Sequence, residues 1–231
     1  MTEEAMKAKR CILVAASDFN EAAFRSLVRP GDAVVAVDGG YASIVACGMR
    51  PCASIGDFDS LGFVPEGECV LRYPCEKDAS DLELALEWAF ERGFRHVAVF
   101  GALGGRLDQT MATLQTLHGM AKRGMDVFAV GKDCCVSIVV GGCVQGDGDQ
   151  DGSAGILDLP AGFRGTVSVF SLCDVSRGVS EAGLLYALEG ADLPNTVSLG
   201  LSNEFTGRAS RISVECGALA VFLPVDAAAW L

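Results

Sequence analysis

Histidine is almost missing from this 231-residue chain, His96 and His118 being the only two. No C-x-x-C pair accompanies them, although ten cysteines are present, so the pattern argues against a zinc site. Basic residues are scarce as well. Lysine and arginine total 18 against 30 acidic residues, a net charge of −12, and a chain without a basic surface is not expected to bind nucleic acid. Long apolar runs are absent too, because Gly, Asp or Arg interrupts each one, so no membrane partner is expected. The first ten residues carry charges of both signs with no apolar h-region after them, the pattern expected of a cytoplasmic protein without a signal peptide. Reduced thiols are expected in that compartment, with Cys134-Cys135 packing as small apolar side chains.

What remains is a chain that is half apolar, which excludes general disorder and is long enough for one large domain or two small ones. Strand patterns at residues 11–16, 33–37, 53–55, 96–100 and 126–130 alternate with helical patterns at 20–28, 41–47, 80–92 and 107–123. That alternation predicts an α/β domain with a mainly parallel sheet. From Cys134 onward no helix is predicted, only short β-branched runs such as 136–140, 166–172, 211–215 and 218–223, separated by Gly, Asp and Pro. The fold expected is therefore α/β followed by all-β, the second part a sandwich, with domains 1–131 and 132–231.

Carboxylates gather where the predicted parallel strands end. Asp38-Gly39-Gly40 follows one strand, Asp57-Phe58-Asp59 another, Asp78 and Asp81 precede a helix, and Asp108 follows the strand ending at Phe100. Ligands of open parallel sheets collect at those ends, and oxygen ligands of this kind suit magnesium. Taken singly, each motif reads as ordinary local structure: Asp-Gly-Gly as a turn, and Ser80 with Glu83 as a helix cap. Asp57 and Asp59 weigh most, since alternate carboxylates in a glycine-flanked loop repel unless a cation sits between them. Gly101, Gly104 and Gly105 let backbone amides approach a phosphate. Arg106 can pair with phosphate oxygens, while Asp108 orients Arg106 or helps hold a metal. No Gly-Lys-Ser/Thr follows, so this is not a Walker A loop.

These motifs, in this order, resemble the thiamine pyrophosphokinase family. The matching stretches are Val37-Asp38-Gly39-Gly40, Ile55-Gly56-Asp57-Phe58-Asp59-Ser60, Lys77-Asp78-Ala79-Ser80-Asp81-Leu82-Glu83 and Gly101-Ala102-Leu103-Gly104-Gly105-Arg106-Leu107-Asp108-Gln109. Later, Gly183-Leu184-Leu185-Tyr186 and Gly200-Leu201-Ser202-Asn203-Glu204-Phe205 are similar to its thiamine-side segments. The resemblance implies a homodimeric enzyme with active sites at the subunit junction, moving a diphosphate from ATP to thiamine with Mg2+ as cofactor. It implies that Asp57, Asp59 and Asp81 hold the metal, and that Arg106 and Asp108 complete the catalytic set. Asp38, Gly39, Ser60, Ser80, Gly104, Gly105 and Gln109 would meet ATP, and Tyr186, Ser202 and Asn203 would meet thiamine. A cationic heterocycle suits the aromatic face of Tyr186. The chain departs from the family at Ser80, where Thr is usual, and differs from part of it at Gln109, where many members carry His and others Gln, and at Tyr186, where some carry Trp. Its loop 145–155 is longer and more acidic.

Three other readings compete. Asp57-Phe58-Asp59 is also the Asp-x-Asp of haloacid-dehalogenase phosphatases, with Asp57 as nucleophile, though Leu61 stands where Thr or Val is expected. Asp147-x-Asp149-x-Asp151-Gly152, with Asp158 at the twelfth position, imitates half of a calcium-binding EF-hand loop, but Gly141-Gly142 and Pro160 deny it flanking helices. A nucleotide sensor without turnover is the third. His96 and His118 read as structural.

Overall fold

A computed structural model describes residues 10–67, 69–142 and 153–231. The chain divides into two compact units, 1–132 and 133–231.

In the first unit, β1 (Arg10–Val14), β2 (Ala33–Val37), β3 (Ala53–Gly56), β4 (Val70–Arg72), β5 (His96–Phe100) and β6 (Asp126–Val130) form a parallel sheet in the order β6-β5-β1-β2-β3-β4. Its central strands are unbroken apolar runs because both faces are covered, and Ile12, opposite Val34 and Ala98, is fully buried. The helices are α1 (Glu21–Leu27), α2 (Gly40–Ala46), α3 (Asp81–Glu91) and α4 (Leu107–Lys122). Asn20 and Ser80 cap α1 and α3 by accepting from the backbone N–H of Ala23 (2.9 Å) and Glu83 (3.2 Å). The buried residues of α3, Leu82, Ala85, Leu86, Trp88 and Ala89, recur at helical spacing. Gly40 lets α2 start against β1, where a Cβ would lie 1.8 Å from the Val14 carbonyl oxygen. Connections run from β1 through β2 to one edge and from β5 to the other, so the strand order reverses between β1 and β5. Such a reversal opens a crevice at the strands' carboxyl ends.

The second unit is all-β. One antiparallel sheet has the order β12 (Asn203–Glu204), β9 (Thr166–Ser171), β14 (Gly217–Pro224), β7 (Cys134–Gly141); the other has β11 (Leu188–Pro194), β10 (Val175–Ala182), β13 (Ser210–Val214), β8 (Gly155–Leu159). Val179, Leu193, Ile212 and Val214 from the second sheet, and Val136, Val169, Leu219 and Val221 from the first, are buried.

Four differences from the expectations stand out. β1 ends at Val14, leaving residues 15–17 as loop, and β4 was not foreseen. A 3-10 helix, Val225–Trp230, follows β14 where no helix was expected. Cys135 does pack as an apolar side chain, burial pushing its thiol up to about 12, but Cys216 is disulfide-bonded, so reduced thiols do not extend to that position. Residues 145–152 of the acidic loop lie outside the described residues. Among the described residues no helix is long and apolar enough to cross a membrane.

Candidate active site

A cleft of about 380 Å³ opens in the first unit at the carboxyl ends of its strands. That volume is in the range of small-molecule sites. Ala15, Ala16 and Ser17 line it after β1, Asp38 after β2, Asp57 after β3 and Gly101 after β5; Ser80 and Asp81 come from the start of α3, and Gln109 from α4. One oxygen each of Asp38, Asp57 and Asp81 lies within 4.8 Å of the others. Three carboxylates this close repel one another unless a cation offsets them.

Lys77 supplies one positive charge. Its Nζ lies 2.9 Å from Asp81 Oδ1 and 3.2 Å from Asp57 Oδ2, and it also donates to the Pro74 carbonyl at 3.3 Å. Burial disfavours the ammonium, but the bonds to Asp81 and Asp57 outweigh that and hold its pKa above the ordinary value. The two acids shift in opposite directions. The Asp59 N–H, donating to Asp57 Oδ1 at 3.1 Å, holds the Asp57 carboxyl below its usual range, with help from Lys77. Burial raises the Asp81 carboxyl, and Lys77 only partly compensates. Asp38 Oδ2 accepts from Ser60 Oγ at 2.6 Å, while its Oδ1 is buried without a hydrogen-bond partner. Three hard oxygen donors against one ammonium, with one buried oxygen unmatched, fit a divalent cation such as magnesium.

The backbone around these acids is held in an uncommon conformation. Among the described residues only Asp38, Phe58 and Ser202 are non-glycine residues in the left-handed region, with φ of 45°, 62° and 60°. Such strain tends to collect at functional sites. Phe58 is buried, and the turn at it leaves Asp59 exposed while Asp57 faces the cleft. Asp59 accordingly groups with Asp57 and the exposed Cys75 rather than with Asp38 and Asp81.

Other residues named from sequence support or flank the cleft. A Cβ on Gly39 would lie 2.8 Å from Ser60 Oγ, so Gly39 lets Ser60 reach Asp38. A Cβ on Gly104, whose φ is 89°, would lie 2.5 Å from Asp18 Oδ2. The Gly104 N–H already donates to Thr110 Oγ1 at 3.1 Å, and its carbonyl accepts from Ser17 Oγ at 3.0 Å. Gly105 is exposed, with φ 64°. Arg106 and Asp108 are exposed and form a two-bond ion pair with each other, outside the cleft lining. Asp78 is exposed. The sequence motifs assign no role to Lys77, although its i,i+4 spacing to Asp81 signals the pair.

In the second unit Tyr186 is exposed and Ser202 exposed, whereas Asn203 is buried. Asp158, the twelfth residue of the imagined calcium loop, lies in β8, and its two oxygens accept from Arg211 at 2.6 and 2.7 Å. A strand in that position is not the helix an EF-hand needs. His96 is exposed, its Nδ1 2.8 Å from Asp126 Oδ2, and burial lowers the pKa of His118; neither lines the cleft.

Two family profiles match the chain, one described as the thiamin pyrophosphokinase catalytic domain over residues 24–129 and one as the thiamin pyrophosphokinase vitamin B1 binding domain over residues 156–219. Between them they cover most of the chain. The thiamine pyrophosphokinase of Bacillus subtilis is 31% identical over 104 residues, 42% of this chain and 49% of that protein. Thiamin pyrophosphokinase 1 of Caenorhabditis elegans is 27% identical over 159 residues, 65% of this chain and 61% of that protein. The aligned stretches thus span about half to three-fifths of these relatives. The crystal structure of the Bacillus subtilis thiamine pyrophosphokinase superposes with a TM-score of 0.78 at 22% identity, over 94% of this chain and 100% of that one, a likeness of fold.

Proposed function

The chain belongs to the thiamine pyrophosphokinase family, and from that premise we propose that it transfers the diphosphate of ATP to the hydroxyethyl oxygen of thiamine, giving thiamine diphosphate and AMP. The family's enzymes use ATP and thiamine as small-molecule substrates and typically a divalent metal. The observation that carries the reading is the convergence of Asp38, Asp57 and Asp81, the last two paired with Lys77, inside the stretch matched by the catalytic-domain profile.

In this proposal residues 1–131 are the ATP-binding catalytic domain and 132–231 a β-sandwich that binds thiamine. Asp57, Asp81 and Asp38 would hold magnesium, with Asp59 exposed beside Asp57. When bound, the metal neutralises phosphate charge. Ser80 and Gln109 meet ATP from the cleft lining, while Gly39, Ser60, Gly104 and Gly105 shape its surroundings. Arg106 leaves its pairing with Asp108 for phosphate oxygens, to which its planar fork is matched, and Asp108 keeps it close. The thiamine hydroxyl oxygen bonds to the β-phosphorus as the bond to the α–β bridging oxygen breaks. AMP leaves with that oxygen, and the hydroxyl proton passes to a site carboxylate. Transfers of this kind depend mainly on position and charge. Tyr186 supplies an aromatic face and Ser202 a hydroxyl to thiamine. The working form is a homodimer in the cytoplasm with active sites at the subunit junction, and sizing by light scattering tests the dimer.

Purified protein incubated with ATP, magnesium and thiamine is expected to yield AMP and thiamine diphosphate in equal amounts, and neither after chelation. ADP or free phosphate without thiamine diphosphate overturns the reading and returns the phosphatase with Asp57 as nucleophile.

A further inference from the structure

Among the described residues, Glu181 is the only acidic or basic residue in the buried set, at 2% exposure. It lies on β10, opposite Ile212 of β13 and Leu188 of β11, with Val179 and Ile212 fully buried nearby. Its Oε2 accepts from Asn203 Nδ2 at 2.7 Å, and its Oε1 is buried without a hydrogen-bond partner. Burying a carboxyl in an apolar wall costs free energy that its one hydrogen bond offsets only in part.

What it does is visible in the Asn203 amide. Oδ1 accepts from the N–H groups of Tyr186 (3.0 Å) and Glu204 (2.9 Å), and Nδ2 donates to the Tyr186 carbonyl at 2.7 Å as well as to Glu181. All four hydrogen-bonding positions of the amide are used, and two of them grip both backbone polar groups of Tyr186. The two N–H donors on Oδ1 fix which way the amide faces. One Nδ2 proton then meets Tyr186, and the other needs an acceptor in a buried place. Glu181 is that acceptor. Further ties hold the same segment, from Thr206 Oγ1 to the Gly183 carbonyl (2.9 Å) and from the Leu185 N–H to the Glu204 carbonyl (2.9 Å). Yet the Tyr186 side chain that this framework carries is 66% exposed.

We propose that Glu181 is a positioning residue for thiamine: through the Asn203 amide it clamps the backbone of Tyr186 and so fixes the aromatic face that the ligand meets. This rests on the function proposed above, with Tyr186 on the thiamine side.

Replacing Glu181 by leucine leaves a buried Nδ2 proton without an acceptor and frees the amide to let go of Tyr186. Steady-state kinetics of Glu181→Leu should show a thiamine KM raised about tenfold. The ATP KM and kcat should stay within about twofold. Glu181→Gln, whose amide oxygen can accept the same bond, should bring the thiamine KM back to within about twofold of wild type. In a Tyr186→Ala background, Glu181→Leu should add nothing further to the thiamine KM, because its effect runs through Tyr186. A folded Glu181→Leu protein with unchanged thiamine KM, a parallel rise in both KM values, or additive effects in the double variant would each overturn the proposal. Should Glu181→Leu not fold, hydrogen exchange of the wild-type protein decides. The Tyr186 amide is expected to exchange slowly despite its exposed side chain, and fast exchange sinks the clamp. Wild-type protein that makes no thiamine diphosphate sinks the proposed function instead, while the exchange experiment still judges the clamp by itself.

Discussion

The cleft of the first unit and the Tyr186 segment of the second handle buried polarity differently. In the cleft, Asp38, Asp57 and Asp81 lie close together with one ammonium, bound to Asp57 and Asp81, and one oxygen of Asp38 has no hydrogen-bond partner. In the Tyr186 segment, every polar atom of the Asn203 side chain is matched within the fold, and the unmatched oxygen there, Glu181 Oε1, lies behind the amide on a single carboxyl with no second acid or ammonium bonded to it. Charge left unbalanced marks a place that waits for a ligand, whereas a saturated amide marks a scaffold that displays something else. The two regions share strained backbone, at Asp38 and Phe58 on one side and at Ser202 on the other.

The sharpest test of that contrast is Asp57→Ala. Removing a carboxylate from the cleft should cost about a thousandfold or more in turnover while the far-UV circular dichroism stays native. Near-normal turnover in the purified variant would mean that the cleft's charge has no catalytic use. Lys77→Met comes next, because it leaves three carboxylates without their ammonium. In chelator its melting temperature should fall by about 3–6 °C, and millimolar magnesium should recover most of the loss. A gap that ignores magnesium breaks the link between unbalanced charge and metal. Ser202→Gly should raise the melting temperature by about 2–4 °C, since glycine relieves the positive φ. The same change should raise the thiamine KM, and a variant with better stability and unaltered KM would remove the Ser202 hydroxyl from the thiamine site. The smallest effect concerns pH. Burial raises the Glu181 carboxyl, and the Asn203 bond only partly opposes it. A carboxyl with a raised folded pKa holds its proton more tightly folded than unfolded, so stability falls as pH climbs from the ordinary glutamate range through the raised value. Glu181→Gln should remove that slope, matching wild type near pH 4 and melting about 1–3 °C higher at pH 8. Parallel melting curves for the two proteins would place the Glu181 proton outside the stability balance.

Much of the first unit could be read from the chain because its signals are local. Apolar runs such as those of β2 and β5 sit between helical periods, and the acids fall just beyond the strand ends. β4 escaped notice because it is three residues long and none of them is fully buried. The membership of the acidic cluster was also hidden. Asp57 and Asp59 look equivalent in sequence, but the left-handed turn at Phe58 separates them, and Asp38 enters through the pairing of β2 with β3. Lys77 was obscure for a related reason: its partner Asp57 is twenty positions away. In the second unit, Ser202-Asn203 stood out as a motif, but nothing local separates the exposed hydroxyl from the buried amide. That split depends on β10 bringing Glu181 beneath Asn203.

Lys77 balances only part of the charge of Asp38, Asp57 and Asp81. A divalent cation bound there, as proposed, would compete with the Lys77 ammonium for Asp57 and Asp81, and an ammonium freed from them would need a new anion. A nucleotide polyphosphate in the same cleft would be such an anion. The two ligands would then favour each other, and reciprocity requires ATP to tighten the metal by the factor by which the metal tightens ATP. A side chain that looks like a simple counterion would thus set the cooperativity between cofactor and co-substrate.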